Sequence, residues 1–280
     1  MQLPTIYEKK TYDIDFPIQL FYEHRNQNAL YYGPHWHEEI EFNYVTRGSS
    51  VVTLEQQEYT LTEGSLLIIN SNTLHSAHCT SVPYTCKVIA FCPENLLERF
   101  SIQNFLFHPF IENDPQIDYY MEQIFKECEE QQIAYKANCK SYITQLLVYL
   151  CRNYMSDILS DRMSEQRKSR LLRLNPVLLY IDEHFTEPIS NRQLADIMYL
   201  NEDHFCHLFS QSLGISPQKY IAHLRLDKAQ ELILAKEHTI TEIAQMVGYQ
   251  DYNHFGRQFR RRFNCTPQEM SKQHVRAKEI

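Results

Sequence analysis

The chain has 280 residues, 43% of them hydrophobic, with 27 Lys/Arg against 35 Asp/Glu and a formal net charge of −8. That length and apolar content suit two ordinary domain cores, while the opening Met-Gln-Leu-Pro-Thr-Ile-Tyr-Glu-Lys-Lys lacks the apolar stretch of a secretory leader and no later run reaches a membrane span. The eight cysteines form no CxxC pair and no compact disulfide framework, so reduced thiols in a cytoplasmic protein with no membrane partner are expected.

In chain order, residues 1–92 read as short strands. The stretches 39–45, 50–54, 58–61, 65–69 and 85–91 are rich in β-branched and aromatic residues, and Gly48, Gly64, Asn70 to Asn72 and Pro83 punctuate them. Several strands at this spacing predict a sandwich or barrel. Helical periodicity follows at 94–100, 117–131 and 135–159. In the last of these, Tyr142, Leu146, Tyr149, Leu150 and Tyr154 form an apolar stripe, widened by Ile143, Leu147 and Cys151. A stripe broader than one barrel face needs predicts a homodimer through this helix. Residues 160–172 are polar and lack aromatics, which sets a flexible linker at 161–172 between a domain at 1–160 and another at 173–280. Asn175-Pro176 is expected to open a helix that runs to Phe185.

The second domain contains an internal repeat. Leu194-Ala195 matches Ile243-Ala244 at an offset of 49, and Phe205, Phe209 and Ser216-Pro217 match Phe255, Phe259 and Thr266-Pro267 at an offset of 50, so the extra residue falls in a turn. Each copy reads as helix-turn-helix, with Asn201 and Asp251 placed to cap the second helix. Phe205, Leu208, Phe209 and Leu213 form the buried stripe of one copy; Tyr252, Phe255, Phe259 and Phe263 form that of the other. The opposite faces are then candidates to enter a DNA major groove: Asp203, His204, Cys206, His207 and Ser210 in the first copy, and Asn253, His254, Arg257, Arg260 and Arg261 in the second. Arg257 and Asn253 suit guanine and adenine edges, whereas Arg260, Arg261 and Arg225 suit phosphates. Between the copies, Ser216-Pro217 starts a spacer helix that reaches about residue 235. The acidic excess lies wholly in residues 1–170, and the last thirty residues hold seven basic groups against three acidic ones.

In the first domain, Gly33-Pro-His35-Trp-His37-Glu-Glu-Ile-Glu41, followed by Gly48 and later by His75, places two imidazoles two residues apart, on one face of a strand. Glu41 shares their parity, and His75 can arrive from a neighbouring strand. Three imidazoles and a carboxylate suit a divalent transition metal; alternatively they bind a small organic ligand or serve only the fold. With Tyr31, Tyr32 and Trp36 beside them, a sugar-like ligand held by His35, His37, Glu41, His75, Tyr32 and Trp36 is favoured over a resident metal or cofactor. His78 has the opposite parity to His75 and is expected at the surface.

The run from Gly248 to Pro267, Gly-Tyr-Gln-Asp-Tyr-Asn-His-Phe-Gly-Arg-Gln-Phe-Arg-Arg-Arg-Phe-Asn-Cys-Thr-Pro, resembles the signature of the AraC/XylS transcription regulators, and the upstream copy fits their first helix-turn-helix. The segment from Pro34 to His75 is similar to the cupin motifs, with HxHx3Ex6G intact and Asn70 and Asn72 where Pro and Gly are expected. His207 stands where the family often has Arg, Cys206 where it often has Ser, and Asn264 where Gly commonly ends the second recognition helix. The resemblance implies an α+β two-domain protein, a cupin-like β-barrel with flanking helices ahead of an all-α double helix-turn-helix. It also implies a ligand-responsive, non-enzymatic regulator that binds promoter DNA and activates transcription by touching RNA polymerase. The alternative is a metal-dependent cupin enzyme built on His35, His37, Glu41 and His75.

Overall fold

The computed structural model describes residues 7, 8, 10, 12, 13, 16–25, 31–55, 57–92 and 104–276. The helix expected at 94–100 lies outside the described residues. Among the described residues the first domain has eleven strands: β1 (Ile18–Arg25), β2 (Tyr31–His35), β3 (Ile40–Arg47), β4 (Ser50–Leu54), β5 (Gln57–Leu61), β6 (Ser65–Ile69), β7 (His75–Cys79), β8 (Tyr84–Phe91), β9 (Phe105–Phe107), β10 (Phe110–Glu112) and β11 (Met155–Ile158). They pair antiparallel in a five-stranded sheet, ordered β1-β8-β3-β6-β10, a four-stranded sheet, ordered β2-β7-β4-β5, and a two-stranded pair of β9 with β11. Val45, Leu67, Ile69, Cys86 and Val88 of the first sheet meet Val52, Leu54 and Leu61 of the second in one core. The cupin-like domain is thus two facing sheets of jelly-roll kind; among the described residues no ladder closes them into a barrel.

The five-stranded sheet is covered on its outer face too. Ile40, Phe42, Leu66, Ile68, Ile89 and Phe91 pack against helices α1 (Pro115–Glu130) and α2 (Tyr135–Asn153). This explains β6, in which five successive residues are buried and alternation vanishes. Asp114 caps α1 by accepting from the Gln116 and Ile117 amides, and it also takes hydroxyls from Tyr149 and Tyr154 at 2.9 and 2.6 Å. On α2, Ile143, Leu146, Leu147 and Leu150 are fully buried inside this domain. The broad stripe therefore serves the chain's own sheet, because two helices must cover a face five strands wide. The helix also stops before the expected residue 159. Tyr154, held by Asp114, ends it, and β11 (Met155–Ile158) pairs with β9.

The segment 161–172, expected as a flexible linker, is instead the first half of α3 (Asp161–His184). Ser160 caps it by accepting from the Met163 amide, and the helix continues through Pro176 rather than starting there. An internal proline costs about 3 kcal/mol. Leu171, Leu174, Val177, Leu178 and Ile181 are buried in one stripe along α3, and each such side chain contributes roughly 1.5–3 kcal/mol, which offsets that cost.

The repeat forms α4 (Asn191–Ile197), α5 (Glu202–Leu213), α6 (Pro217–Ala235), α7 (Ile240–Met246), α8 (Tyr252–Phe263) and α9 (Pro267–Arg276). Ser190 with Gln193 and Thr239 with Glu242 make capping boxes at equivalent places. Asn201 and Asp251 cap α5 and α8 as expected, while Gly214 and Asn264 end them in the left-handed conformation. Leu194, Phe205 and Phe209 pack on the α3 stripe; Ile243, Phe255 and Phe259 pack on Leu226, Ala229 and Ile233 of α6. Gly248, at φ +88°, is needed in the second turn because a Cβ there would lie 2.4 Å from the Thr186 carbonyl oxygen.

The two domains touch directly. Trp36 and Leu74 of the first are buried in the core formed by α3, α4, α5 and α6. Arg167 and Lys168 of α3 pair with Glu55 and Glu38 at 2.7 and 2.5 Å, and Arg262 of α8 pairs with Glu58 of β5.

Candidate functional site

His35 stands opposite His75 in the β2–β7 ladder, and His37 follows two residues later, so the backbone brings all three imidazoles together. Their ring centroids lie 4.1 Å (His35–His75), 5.0 Å (His37–His75) and 6.2 Å (His35–His37) apart. Each Nδ1 meets a backbone carbonyl: Gly33 at 2.9 Å, Glu39 at 3.2 Å and Thr73 at 2.9 Å for His35, His37 and His75. A carbonyl only accepts, so each Nδ1 carries a proton. Glu41 joins them from β3. Its carboxylate accepts from Lys10 at 2.7 Å and from Asn43 at 2.9 Å. His37 Nε2 lies 3.3 Å from Glu41 Oε2, off the line of a hydrogen bond, and like His75 Nε2 is buried without a hydrogen-bond partner.

Burial alone would raise the Glu41 carboxyl, but the Lys10 ammonium and the His37 imidazole override it and hold Glu41 well below the usual carboxylate range. Burial, reinforced by the neighbouring imidazoles, keeps His75 well below its ordinary value, and burial likewise lowers His35. An ionised carboxylate stands beside the lowered His35 and His75 imidazoles, and the ligand atoms of His35, His37 and His75 lie within 4.8 Å of one another. A cavity of about 120 Å³ opens beside them. It is polar at Glu8, Lys10, Glu23 and Tyr32 and apolar at Val52, Leu61 and Val88.

Of the expected ligand residues, His35, Glu41, His75 and Tyr32 line this cavity, and His37 stands behind Glu41. Trp36 does not. Its indole is fully buried outside the pocket, in the core of the other domain, because neighbours along an extended segment point to opposite faces. Asn43 shares the parity of Glu41 and was findable on that ground; Lys10 and Glu23 carry no signal in the sequence. Asn72 sits at φ +56°, filling the role of the absent glycine. His78 is partly buried rather than at the surface, and burial, with Arg262 adding to it, pushes its imidazole down to about 4.

In the helical domain, Asn253, His254, Arg257, Arg260 and Arg261 are all exposed on α8. On α5, Asp203, His204 and His207 are exposed, whereas Cys206 and Ser210 are half-buried. Arg225 does not share this presentation. Its Nε and Nη2 donate to the carbonyls of Phe185 and Glu187 at 2.6 and 2.7 Å, and its guanidinium lies near the Tyr249 ring. These bonds tie α6 to the turn after α3 and use two of the five guanidinium N–H groups.

A family model described as an AraC-like ligand binding domain matches residues 17–147, and one described as a helix-turn-helix domain matches residues 194–273. The chain belongs to the AraC family of transcription regulators. The HTH-type transcriptional activator RhaS of Escherichia coli O1:K1 is 26% identical, with 84% of this chain and 86% of RhaS covered. ToxT from Vibrio cholerae strain SCE256, solved with an unsaturated fatty acid bound, aligns over 91% of this chain and 94% of its own at 15% identity and a TM-score of 0.43. An AraC-type DNA-binding domain protein from Chromobacterium violaceum aligns over 38% of this chain and 96% of its own, at 28% identity and a TM-score of 0.36. In this AraC-family regulator the ligand domain contains the histidine cluster, and the helix-turn-helix domain contains the polar faces of α5 and α8. It is a ligand-responsive, DNA-binding regulator of transcription. Among the described residues, no helix is long and apolar enough to cross a membrane.

Proposed function

We propose that this regulator reads promoter DNA with α5 and α8, responds to a small polar ligand, sugar-like in chemistry, in the sensor cavity, and activates transcription by contacting RNA polymerase. The observation that carries the reading is the matched pair of capped recognition helices, each with a polar face turned away from its own core. The name of RhaS supports the activator assignment. The assigned DNA-binding residues are Asp203, His204, Cys206, His207, Ser210, Asn253, His254, Arg257, Arg260 and Arg261, and the ligand residues are His35, His37, Glu41, His75 and Tyr32. Residues 1–160 form the sensor and 173–280 the reader, joined by the first half of α3. The protein works in the cytoplasm as a homodimer and catalyses no reaction. Because α2 spends its aliphatic stripe internally, the subunit contact we propose is the aromatic ridge of Tyr119 and Tyr142, whose rings lie 6.5 Å apart and of which Tyr119 is half exposed.

Selection of duplexes from a random library by the full chain tests the reading. The expected product is a motif of two half-sites about one helical turn, roughly 34 Å, apart on one face of the duplex. Recovery of no motif, with binding that only tracks salt, would refute sequence-specific regulation.

A further inference from the structure

Helices α1 and α2 form a hairpin over the outer face of the five-stranded sheet, and two cysteines meet where it turns. Cys128 lies in the last turn of α1, and Cys139 opens the second turn of α2. Their sulfurs are 3.4 Å apart, and both are free thiols. A disulfide bond is about 2.05 Å long, so a closure of roughly 1.4 Å would join them. The turn holds the helix ends in register. Gln131 and Ala134 take the left-handed conformation on either side of it, and Asn138 donates to Glu127 Oε1 at 2.6 Å.

The two thiols are unequal. Cys139 is fully buried, with its sulfur also 3.6 Å from the Ile124 carbonyl, whereas Cys128 is partly exposed. A carbonyl only accepts, so Cys139 carries an S–H that it can turn onto the Cys128 sulfur. That hydrogen bond holds Cys128 below the ordinary thiol value, against burial and the neighbouring Glu127 and Glu129. The same contact, with burial, pushes Cys139 far up. Elsewhere the partly exposed Cys151, Cys206 and Cys265 are all raised by burial. The thiolate is the nucleophilic form, and a lowered, accessible thiol beside a second cysteine is what oxidants attack and a neighbour resolves.

We propose that Cys128 and Cys139 are a peroxide-oxidisable pair, closing to a disulfide that locks the α1–α2 hairpin on the sensor sheet. The Cys128 thiolate attacks one peroxide oxygen and the O–O bond breaks. The departing hydroxide takes up the proton that Cys128 had released and leaves as water, so Cys128 becomes a sulfenic acid. The Cys139 sulfur then attacks the Cys128 sulfur, the S–O bond breaks, and hydroxide leaves with the Cys139 proton as a second water. Two thiols thus give two electrons to one peroxide. A dithiol reductant reverses the bond, which suits a chain whose resting thiols are reduced. No part of this chemistry involves the sensor cavity or DNA.

The full chain is treated with hydrogen peroxide, and its thiols are followed by differential alkylation and mass spectrometry. Cys128 and Cys139 should lose alkylation together, about tenfold faster than Cys151, Cys206 or Cys265. A linked peptide lighter by two hydrogens should appear and be reversed by dithiothreitol. The oxidised chain should show a higher urea midpoint, because the cross-link restricts the unfolded chain. Cys139→Ser, checked for fold by circular dichroism, should stop Cys128 at a sulfenic acid that dimedone traps, and Cys128→Ser should leave Cys139 reduced. In the wild type, oxidation of Cys128 no faster than that of the other three, or its passage to sulfinic acid without a linked peptide, would overturn the pair. A linked peptide with an unchanged urea midpoint would overturn the lock.

Discussion

Arg262, in the last turn of α8, pairs with Glu58 on the sensor strand β5, so a basic run that looks uniform in sequence is divided by its surroundings. Arg260 and Arg261 are exposed, whereas Arg262 faces protein and also reaches Asp227 of α6 at 3.3 Å. The pair fastens the end of α8 to the sensor.

Glu58→Gln removes one partner of a contact worth at most about 1 kcal/mol. The melting temperature should barely change. Affinity for a selected duplex should rise by up to about fivefold as α8 is released, read by fluorescence anisotropy. Unchanged or weaker binding would mean that the docked arrangement does not restrain the reader.

The exposed arginines should differ among themselves. Arg257→Ala is expected to cost about 1–3 kcal/mol and relax preference at one base position, while Arg261→Ala weakens all sequences alike and lowers the salt slope by about one. Competition between selected and random duplexes at several salt concentrations separates the two, and equal losses for both variants would end the division of roles.

Leu147 and Tyr119 separate folding from assembly. Leu147→Ala opens a cavity beneath the five-stranded sheet and should destabilise the sensor by about 2–5 kcal/mol in urea unfolding. Tyr119→Glu should leave unfolding nearly unchanged and yield monomers in sedimentation. Dimers that persist in Tyr119→Glu would place the subunit contact elsewhere.

Gly248→Ala combines a left-handed backbone with a Cβ 2.4 Å from the Thr186 carbonyl oxygen. Strain of about 1–3 kcal/mol, before any steric contribution, should loosen the second helix-turn-helix. Hydrogen exchange should rise across α7 and α8 and stay unchanged in α4 and α5.

Acid should weaken the interface between the domains. Burial, together with Arg262, holds His78 and His223 at about 4, below their ordinary value, so the unfolded chain takes up protons first and stability falls as pH drops from about 6.5 towards 4. Asp227 opposes this. Burial lifts its carboxyl to about 6 despite Arg262, so the folded state gains a proton there, but one group works against two. A melting temperature that falls between pH 6.5 and 4.5, and falls less in His78→Gln/His223→Gln, is expected. An unchanged slope in the double variant would remove these residues from the effect.

Much of what depends on neighbours along the chain was legible before any tertiary structure. The repeat, the caps at Asn201 and Asp251, the left-handed Asn264, strands 50–54 and 65–69, and the shared face of His35 and His37 were legible because capping and periodicity act over a few residues. β1, β9, β10 and β11 were not read, and only His75 of the polar run at 75–79 was placed on a strand, since that run gains its burial from what lies across it. Tertiary structure alone decided which surface covers each face. It turned the α2 stripe inward onto a five-stranded sheet, carried α3 through Pro176 on the strength of buried leucines, and spent Arg225 on two carbonyls. Alternation shows that Trp36 must point away from His35 and His37. Only the packing of the two domains shows that what lies on that side is the reader, because a local pattern fixes direction and the long-range fold supplies the partner.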